Sequence, residues 1–349
     1  YAQFGQGGSS ADGNHTGTIR IDRVHDIAFT SGTTSAHAQL GQGGSLAVGD
    51  QSGNTTITRA NDLRFISGAN SHAQAGHNGI GNHTGDLTIG QVNDISLTSN
   101  GRDAQFGHRS VNGDLSGTIS IESARDIDLD STASAAGSAQ IGHGGLGTNI
   151  NPGGDRSGDI LIAQARNLRV AAGRGASGKK GRTFPVNASI GHGGSQAESP
   201  KNVSGDVSVT VTGNLELTAA VPNVAGTPRL GHHGETSVSG NVSVQVGGNA
   251  TLSPEGIIGH TIEAGGTYDN GDTEMVLDGT LTAAAGARFN SGANGDLQIY
   301  LENAAADQID AGALINGVAK GGPAMFENGG ASTVFGQGAG SGFFIAGAQ

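Results

Sequence analysis

The sequence predicts an all-β protein built as a parallel β-helix of about nine turns, and three observations predict it. A landmark segment returns along the 349 residues, and 64 of these residues are glycine. Between successive landmarks, two five-residue segments alternate apolar and polar residues with a period of two, which is typical of strands with one buried face. No segment has the 3.6-residue apolar period of an amphipathic helix. Together these features indicate stacked turns of short strands.

The landmark reads AQFGQGG from Ala2, AQLGQGG from Ala38 and AQIGHGG from Ala139, with weaker copies farther along. Its spacing varies from 28 residues (Gly231 to Gly259) to 49 residues (Gly142 to Gly191), which indicates a fixed unit with variable loops. The central glycine recurs at Gly5, Gly41, Gly76, Gly107, Gly142, Gly191, Gly231 and Gly259.

The two alternating segments read GTIRI from Gly17 and HDIAF from His25 in their first copies. With the landmark they give three short strands per turn, and stacking the turns at about 4.8 Å buries their apolar side chains as columns. A propeller is disfavoured, because the sequence has no series of tight hairpins. The landmarks fade near Asn290, so residues 1–289 are predicted to form the helix. Residues 290–349 are predicted to form a C-terminal cap or transition segment.

Composition excludes several classes of function. The chain has 30 acidic and 18 basic residues and a net charge of −12, which argues against a nucleic-acid partner. It has no cysteine, and therefore no disulfide, no thiol catalysis and no cysteine-based zinc site. No apolar run reaches the ~18 residues of a membrane span.

The repeats also carry a resemblance. GNLELT from Gly213 and GNATL from Gly248 resemble short repeats of filamentous haemagglutinin-type exoproteins. AQIGHGG from Ala139 is similar to repeats of large two-partner-secreted adhesins, including biofilm-matrix adhesins of Gram-negative bacteria. The resemblance spans most of the chain and implies a right-handed parallel β-helix. It also implies a secreted or cell-surface location, export through an outer-membrane transporter partner, no cofactor, and adhesion to extracellular polysaccharide or cell-surface glycans in virulence and biofilm formation.

Two other functions remain as alternatives. A β-helical polysaccharide lyase or hydrolase would need paired carboxylates, for which Asp126, Asp128 and Asp130 are candidates. However, Asp128 alternates with Arg64, Ser96 and Arg169 at equivalent outward positions, which indicates a solvated face of mixed charge. The chain also lacks Trp, although sugar-binding clefts of such enzymes usually contain aromatic side chains. No enzyme is therefore predicted, and a purely structural stalk or spacer is the other alternative.

A column of histidines follows the landmark glycines. Gln6 and Gln42 occupy this position in the first two turns, and six histidines follow: His77, His108, His143, His192, His232 and His260. Imidazole suits transition metals, but Gln at equivalent positions binds metal poorly. The column is therefore interpreted as a structural ladder of neutral rings that satisfy corner carbonyls, and no metal site is predicted. Protonation of the column is expected to destabilise the rod below about pH 6.

A second ladder begins the third strand of each turn. It consists of Asp26, Asp62, Asp94, Asp126, Asn167, Asn214 and Asn249. Short polar side chains of this kind bond to turn backbone. Because stacked carboxylates about 5 Å apart repel one another, the aspartates are expected to cap backbone amides individually.

Two sets of residues are candidates for ligand binding. One is a glutamine column predicted to face outward, where its amides could bond to sugar hydroxyls or to each other: Gln3, Gln39, Gln74, Gln105 and Gln140. The other is a basic loop, either an anion-contacting site or an exposed flexible segment: Arg174, Lys179, Lys180 and Arg182.

Overall fold

The computed structural model describes most of the chain up to residue 301 and five short strands beyond it. The described residues are 2–8, 10–33, 37–110, 112–134, 137–144, 154–173, 176–177, 183–184, 186–193, 202–220, 226–234, 236–262, 267–268, 271–284, 286–291, 295–301, 308–309, 314–315, 324–328, 331–335 and 343–345. They contain no helix, and therefore none that could cross a membrane.

The predicted fold class is confirmed, because three parallel sheets stack with regular ladders into a β-helix of about nine turns. The landmark segments form one ten-stranded sheet, the landmark sheet. Equivalent residues pair directly, as Gln74 does with Gln39 and Gln105. The strands of this sheet are Ala2–Phe4, Ala38–Leu40, Ala73–Ala75, Ala104–Phe106, Ala139–Ile141, Ala188–Ile190, Pro228–Leu230, Ile257–Gly259, Arg288–Asn290 and Leu314–Ile315.

The two alternating segments lie in a single large sheet, the long-strand sheet. In three turns they run together as continuous strands of 12, 12 and 13 residues, namely Leu87–Thr98, Ile119–Asp130 and Ile160–Ala172. In the other turns they stay separate, as Ile19–Ile21, Asp26–Thr30, Thr55–Arg59, Asp62–Ile66, Val207–Val211, Leu215–Ala219, Val242–Val246, Ala250–Leu252, Thr273–Leu277, Leu281–Ala283, Leu297–Leu301 and Gln308–Ile309.

A third stacked sheet, the short-strand sheet, was not predicted as a separate layer. Its strands are only two or three residues long, which is too short to display an alternating pattern. They are His15–Thr16, Gln51–Ser52, His83–Thr84, Leu115–Ser116, Arg156–Ser157, Asn202–Ser204, Ser237–Val238 and Thr267–Tyr268. Smaller sheets are formed by other short strands. One contains Gly43–Val48, Asn78–Ile80 and Arg109–Ser110. A second pairs His233–Gly234 with Thr261–Ile262, and a third pairs Ala176–Ser177 with Thr183–Phe184.

The core consists of apolar columns that run through successive turns. Ile57, Ile89, Ile121, Ile162 and Val209 are in register with one another, and each is at most 1% exposed. Burying one such side chain contributes about 1.5–3 kcal/mol. The repeated inward apolar positions therefore provide the main driving force that stacks the turns.

The landmark glycines allow the turns to stack closely at one corner. Gly76 has a φ of +130°, and a Cβ built on it would lie 2.3 Å from the carbonyl oxygen of Gly107 in the next turn. A side chain at this position would meet fixed backbone and would require a conformation that L-residues rarely adopt. Glycine is therefore required at this corner both by the positive φ and by the lack of room for a Cβ.

The ladder continues past the boundary predicted at residue 289. Leu297–Leu301 pairs in register with Thr273–Leu277, and Leu314–Ile315 pairs with Arg288 and Phe289. The later strands change the pairing mode, because Ala324–Asn328 and Ala331–Phe335 are antiparallel. Phe343–Ile345 then pairs in parallel with Ala324–Asn328 and with the first residues of Leu297–Leu301.

Candidate functional site

The six histidines of the column form a continuous stack of parallel rings. Neighbouring ring centroids are 4.5–4.8 Å apart, and the planes differ by 2–5°. Each side chain is buried, with at most 1% of its surface exposed. The spacing equals the distance between neighbouring strands of a sheet, so the ladder of the β-helix itself sets the stacking.

Hydrogen bonds occupy both nitrogens of each stacked ring. The backbone N–H of His108 donates to Nδ1 of His143 at 3.0 Å, and Nε2 of His143 lies 2.8 Å from the carbonyl oxygen of Gly117. Because Nδ1 accepts, Nε2 must carry the proton and donate. This pattern repeats along the stack, as at His192, where Nδ1 accepts from the backbone of His143 and Nε2 faces the carbonyl of Gly158. Every ring is therefore fixed as one neutral tautomer.

Burial lowers the pKa of these imidazoles. The pKa of His77, of His192 and of His260 falls to about 4, because burial disfavours the charged ring. The pKa of His108, His143 and His232 is lowered well below the usual value, first by burial and then by neighbouring histidines. The stack is therefore uncharged at neutral pH.

Gln42 makes the same two contacts as the histidines that follow it. Its Oε1 accepts from the backbone N–H of Gln6 at 2.6 Å, and its Nε2 donates to the carbonyl of Gly17 at 3.0 Å. The amide oxygen thus stands in for Nδ1 and the amide nitrogen for Nε2. Each position of the column requires a side chain with one hydrogen-bond acceptor and one donor at fixed points, and both Gln and neutral His meet this requirement.

The prediction that the glutamine column faces outward is wrong for the four glutamines after the first turn. Gln39, Gln74, Gln105 and Gln140 are 1–2% exposed, whereas Gln3 in the first turn is half-buried. Nε2 of Gln74 donates to the carbonyls of His77 and Gly107, both at 2.9 Å. The other three amides likewise donate to the carbonyl of the landmark glycine in the next turn, as Gln105 does to Gly142 and Gln140 to Gly191, both at 2.8 Å. Four of the five amides therefore offer no surface to a sugar.

The Asp and Asn ladder divides into two parts with different partners. In the later turns, Asn167 Oδ1 accepts from the backbone N–H of Asn214 at 3.0 Å, and Asn214 Oδ1 accepts from that of Asn249 at 2.9 Å. In the earlier turns the carboxylates of Asp94 and Asp126 are instead bound by arginine side chains, contrary to the prediction of backbone caps. Asp26 and Asp62 both accept from the side-chain amide of Asn61.

The predicted carboxylate caps occur at another corner, which the sequence interpretation missed. The backbone N–H of Asp206 donates to Asp159 Oδ1 at 2.9 Å, and that of Asn241 donates to Asp206 Oδ1 at 2.8 Å. Asp272 continues the series with a bond to Asn241 Oδ1 at 2.9 Å. The available signal was the Asp or Asn that follows the glycine of segments such as GDILI and GDVSV.

The carboxylates considered for catalysis lie on the outward face of the long-strand sheet and are paired with arginines. Arg166 contacts Asp126 at 2.6 Å, and Arg169 contacts Asp128 at 2.7 Å and Asp130 at 3.1 Å. These side chains are between one quarter and three fifths exposed. A general acid needs a raised pKa and a free proton position, and ion pairing opposes both.

A shallow groove lies at the junction of the two segments of the long-strand sheet in the first turns. It has a volume of about 470 Å³ and is lined by Arg23, Val24, His25, Arg59, Ala60, Asn61 and Asn93. The sequence interpretation did not single out this groove. The signal was an arginine at the same position between two alternating segments in two consecutive repeats.

The basic loop residues Arg174, Lys179, Lys180 and Arg182 lie outside the described residues. Within the described part of the chain, no group of three His, Asp or Glu side chains is placed to hold a metal ion.

Comparison of the chain with protein-family models, with curated proteins and with solved structures finds no match.

Proposed function

We propose that this chain is a non-catalytic segment of a secreted bacterial adhesin, a rigid rod that binds extracellular polysaccharide or cell-surface glycans. The observation that carries the proposal is the ladder of outward polar side chains on the long-strand sheet. Equivalent residues such as Asp94 and Asp126 pair directly between turns, so similar groups recur at a spacing of about 4.8 Å. A surface that repeats along an axis suits a polymer that also repeats along its axis.

The pairing of the candidate acids supports a binding role over catalysis. Asp126, Asp128 and Asp130 all lie within 3.1 Å of arginine nitrogens. Glycosidases need one carboxyl group that keeps its proton and a second that is free to act as base or nucleophile. The repeat resemblance adds export through an outer-membrane transporter and a place on the cell surface or in the biofilm matrix.

The test is incubation of the purified chain with a panel of bacterial exopolysaccharides, with co-sedimentation and polymer length measured in the same tubes. Retention of the protein with polymer of unchanged length is the expected result. Shortened polymer would replace the proposal with a lyase or hydrolase. Absence of both retention and shortening would leave a structural spacer.

A further inference from the structure

The groove beside Arg23 and Arg59 has a charge pattern unlike the rest of the face on which it lies. The two arginines occupy equivalent positions in adjacent turns, because Ile21 pairs with Ile57 and the N–H of Val24 donates to the carbonyl of Arg59 at 3.1 Å. Their Cα atoms are therefore separated by about one strand spacing, roughly 4.8 Å. Two positive side chains on neighbouring turns thus line the groove.

Neither arginine has a carboxylate partner among the described residues, although the surrounding arginines do. Arg20 contacts Asp22 at 2.6 Å, and Arg64 contacts Asp62 at 2.8 Å. His25 lies 2.9 Å from Asp26, so the nearby acids already have partners. Like charges this close repel, and an anion placed between them would be attracted to both.

The two asparagines that line the groove, Asn61 and Asn93, are held in place by their own hydrogen bonds. The side-chain amide of Asn93 donates to Asn61 Oδ1, and that of Asn61 donates to Asp26 and Asp62, each at 3.2 Å. Because these side chains are already ordered, a ligand that contacts them loses less conformational entropy on binding. The lining also includes the small apolar residues Val24 and Ala60.

We propose that this groove binds the carboxylate groups of an acidic, uronate-bearing polysaccharide, with Arg23 and Arg59 as the anion-binding residues. The inference rests on the proposed glycan-binding function and specifies the chemical class of the glycan. A guanidinium group has a planar fork of donors that matches the two oxygens of a carboxylate. A nucleic acid is disfavoured because the groove lining includes no Phe, Tyr or Trp for base stacking and the chain carries a net charge of −12.

The experiment compares three soluble polymers by affinity electrophoresis of the full chain: polygalacturonate, neutral dextran and dextran sulfate. The test variant is Arg23→Gln/Arg59→Gln. The matched control is Arg102→Gln/Arg288→Gln, which removes the same charge from two arginines that lie outside the long-strand sheet. Unchanged thermal midpoints establish that both variants fold.

The native chain is expected to bind polygalacturonate. The affinity should fall at least about tenfold in the test variant and less than about twofold in the control. Binding should also weaken with salt. Equal weakening in both variants would overturn the site, because it would indicate general charge attraction. Stronger retention by dextran sulfate would overturn the carboxylate assignment. Retention by neutral dextran alone would overturn this inference and leave the proposed function standing, whereas failure of the whole exopolysaccharide panel would overturn both.

Discussion

Two sets of polar side chains are stacked along the same rod, one buried and one exposed to solvent. The histidine stack at the landmark corner is buried, with neighbouring ring centroids 4.5–4.8 Å apart. On the long-strand sheet, Arg125, Arg166 and Arg169 are 38–57% exposed, and each contacts carboxylates of its own turn or the preceding one. The helix repeats every side chain at nearly the same interval, so the environment decides which chemistry each column can carry.

The buried column holds neutral groups because burial disfavours charge and its only polar partners are backbone groups. Each imidazole satisfies one N–H and one carbonyl, and Gln42 does the same with an amide. The exposed face can hold charged groups of both signs because water and opposite charges screen the repulsion between turns. Free energy of folding should therefore depend strongly on the buried column and weakly on the exposed one.

The largest expected effect is the pH dependence that this comparison implies. The folded-state pKa of His77, His192 and His260 is about 4, whereas the unfolded value is about 6.5. Above pH 6.5 neither state takes up protons at these rings. Between pH 6.5 and 4 the unfolded chain binds protons that the folded chain does not, so the free energy of unfolding falls as pH falls. The loss is on the order of 3 kcal/mol for each such ring.

The measurement is urea unfolding at several pH values, with His108→Gln/His143→Gln/His192→Gln as the variant. Gln can keep both hydrogen bonds, as Gln42 does, but it does not titrate. The slope of unfolding free energy against pH should fall by about 1.4 kcal/mol per pH unit for each histidine removed. A residual slope remains in the variant, because it keeps other histidines whose pKa values are lowered by burial: half-buried His37, buried His72 and His83, and His77, His232 and His260 of the stack. An unchanged slope would contradict the assignment to the stack.

A single replacement tests how much hydrogen bonding stabilises the buried column. In His143→Leu, the N–H of His108 and the carbonyl of Gly117 lose their side-chain partner inside the protein. The expected cost is roughly 2–5 kcal/mol at pH 7.5, because each unsatisfied buried group costs about 1–3 kcal/mol. His143→Gln is the matched control and should cost less than about 1 kcal/mol. Equal losses in the two variants would indicate that ring stacking, and not hydrogen bonding, stabilises the column.

The glycine column next to the stack is expected to tolerate substitution poorly. Gly76→Ala places a Cβ 2.3 Å from the carbonyl oxygen of Gly107 at a φ of +130°. The expected cost is about 2–3 kcal/mol, because a strained conformation of this kind alone costs about 1–3 kcal/mol. Gly8→Ala is the control, since a Cβ there would meet no atom within 4 Å. If the Gly76→Ala variant had the same thermal midpoint as the control, the corner would be shown to accommodate a Cβ without loss of stability.

The exposed column should give the smallest effect. Arg166→Gln removes a contact to Asp126 in which the arginine side chain is 57% exposed. Exposed pairs of this kind contribute about 0–1 kcal/mol, and about 1 M salt should abolish the contribution. A decrease in the free energy of unfolding of more than about 2 kcal/mol that persists in salt would contradict this expectation. The exposed face would then stabilise the rod as strongly as the buried column.

Much of the fold could be predicted from local patterns, and the failures have specific physical causes. The inward positions of Ile57 and Ile89 follow from period-two alternation within a strand. The burial of Gln74 cannot be predicted in this way, because alternation places it outward, whereas its amide donates to the carbonyls of His77 and of Gly107 in the next turn. Likewise, the contact between Arg166 and Asp126 joins residues 40 positions apart, and its existence depends on loop lengths that set the register between turns.

By itself, the sequence determined the repeat, the strand composition, the apolar columns and the stacked order of the His and Asp or Asn positions. These features are periodic, and a stack of parallel strands converts periodicity in sequence directly into columns in space. Only the tertiary structure decided which polar columns are buried, which carboxylates meet arginines, and that Arg23 and Arg59 line a groove without acidic partners among the described residues. These properties depend on how the chain between strands returns across the surface, and that path is set by packing between turns and not by the pattern within any one of them.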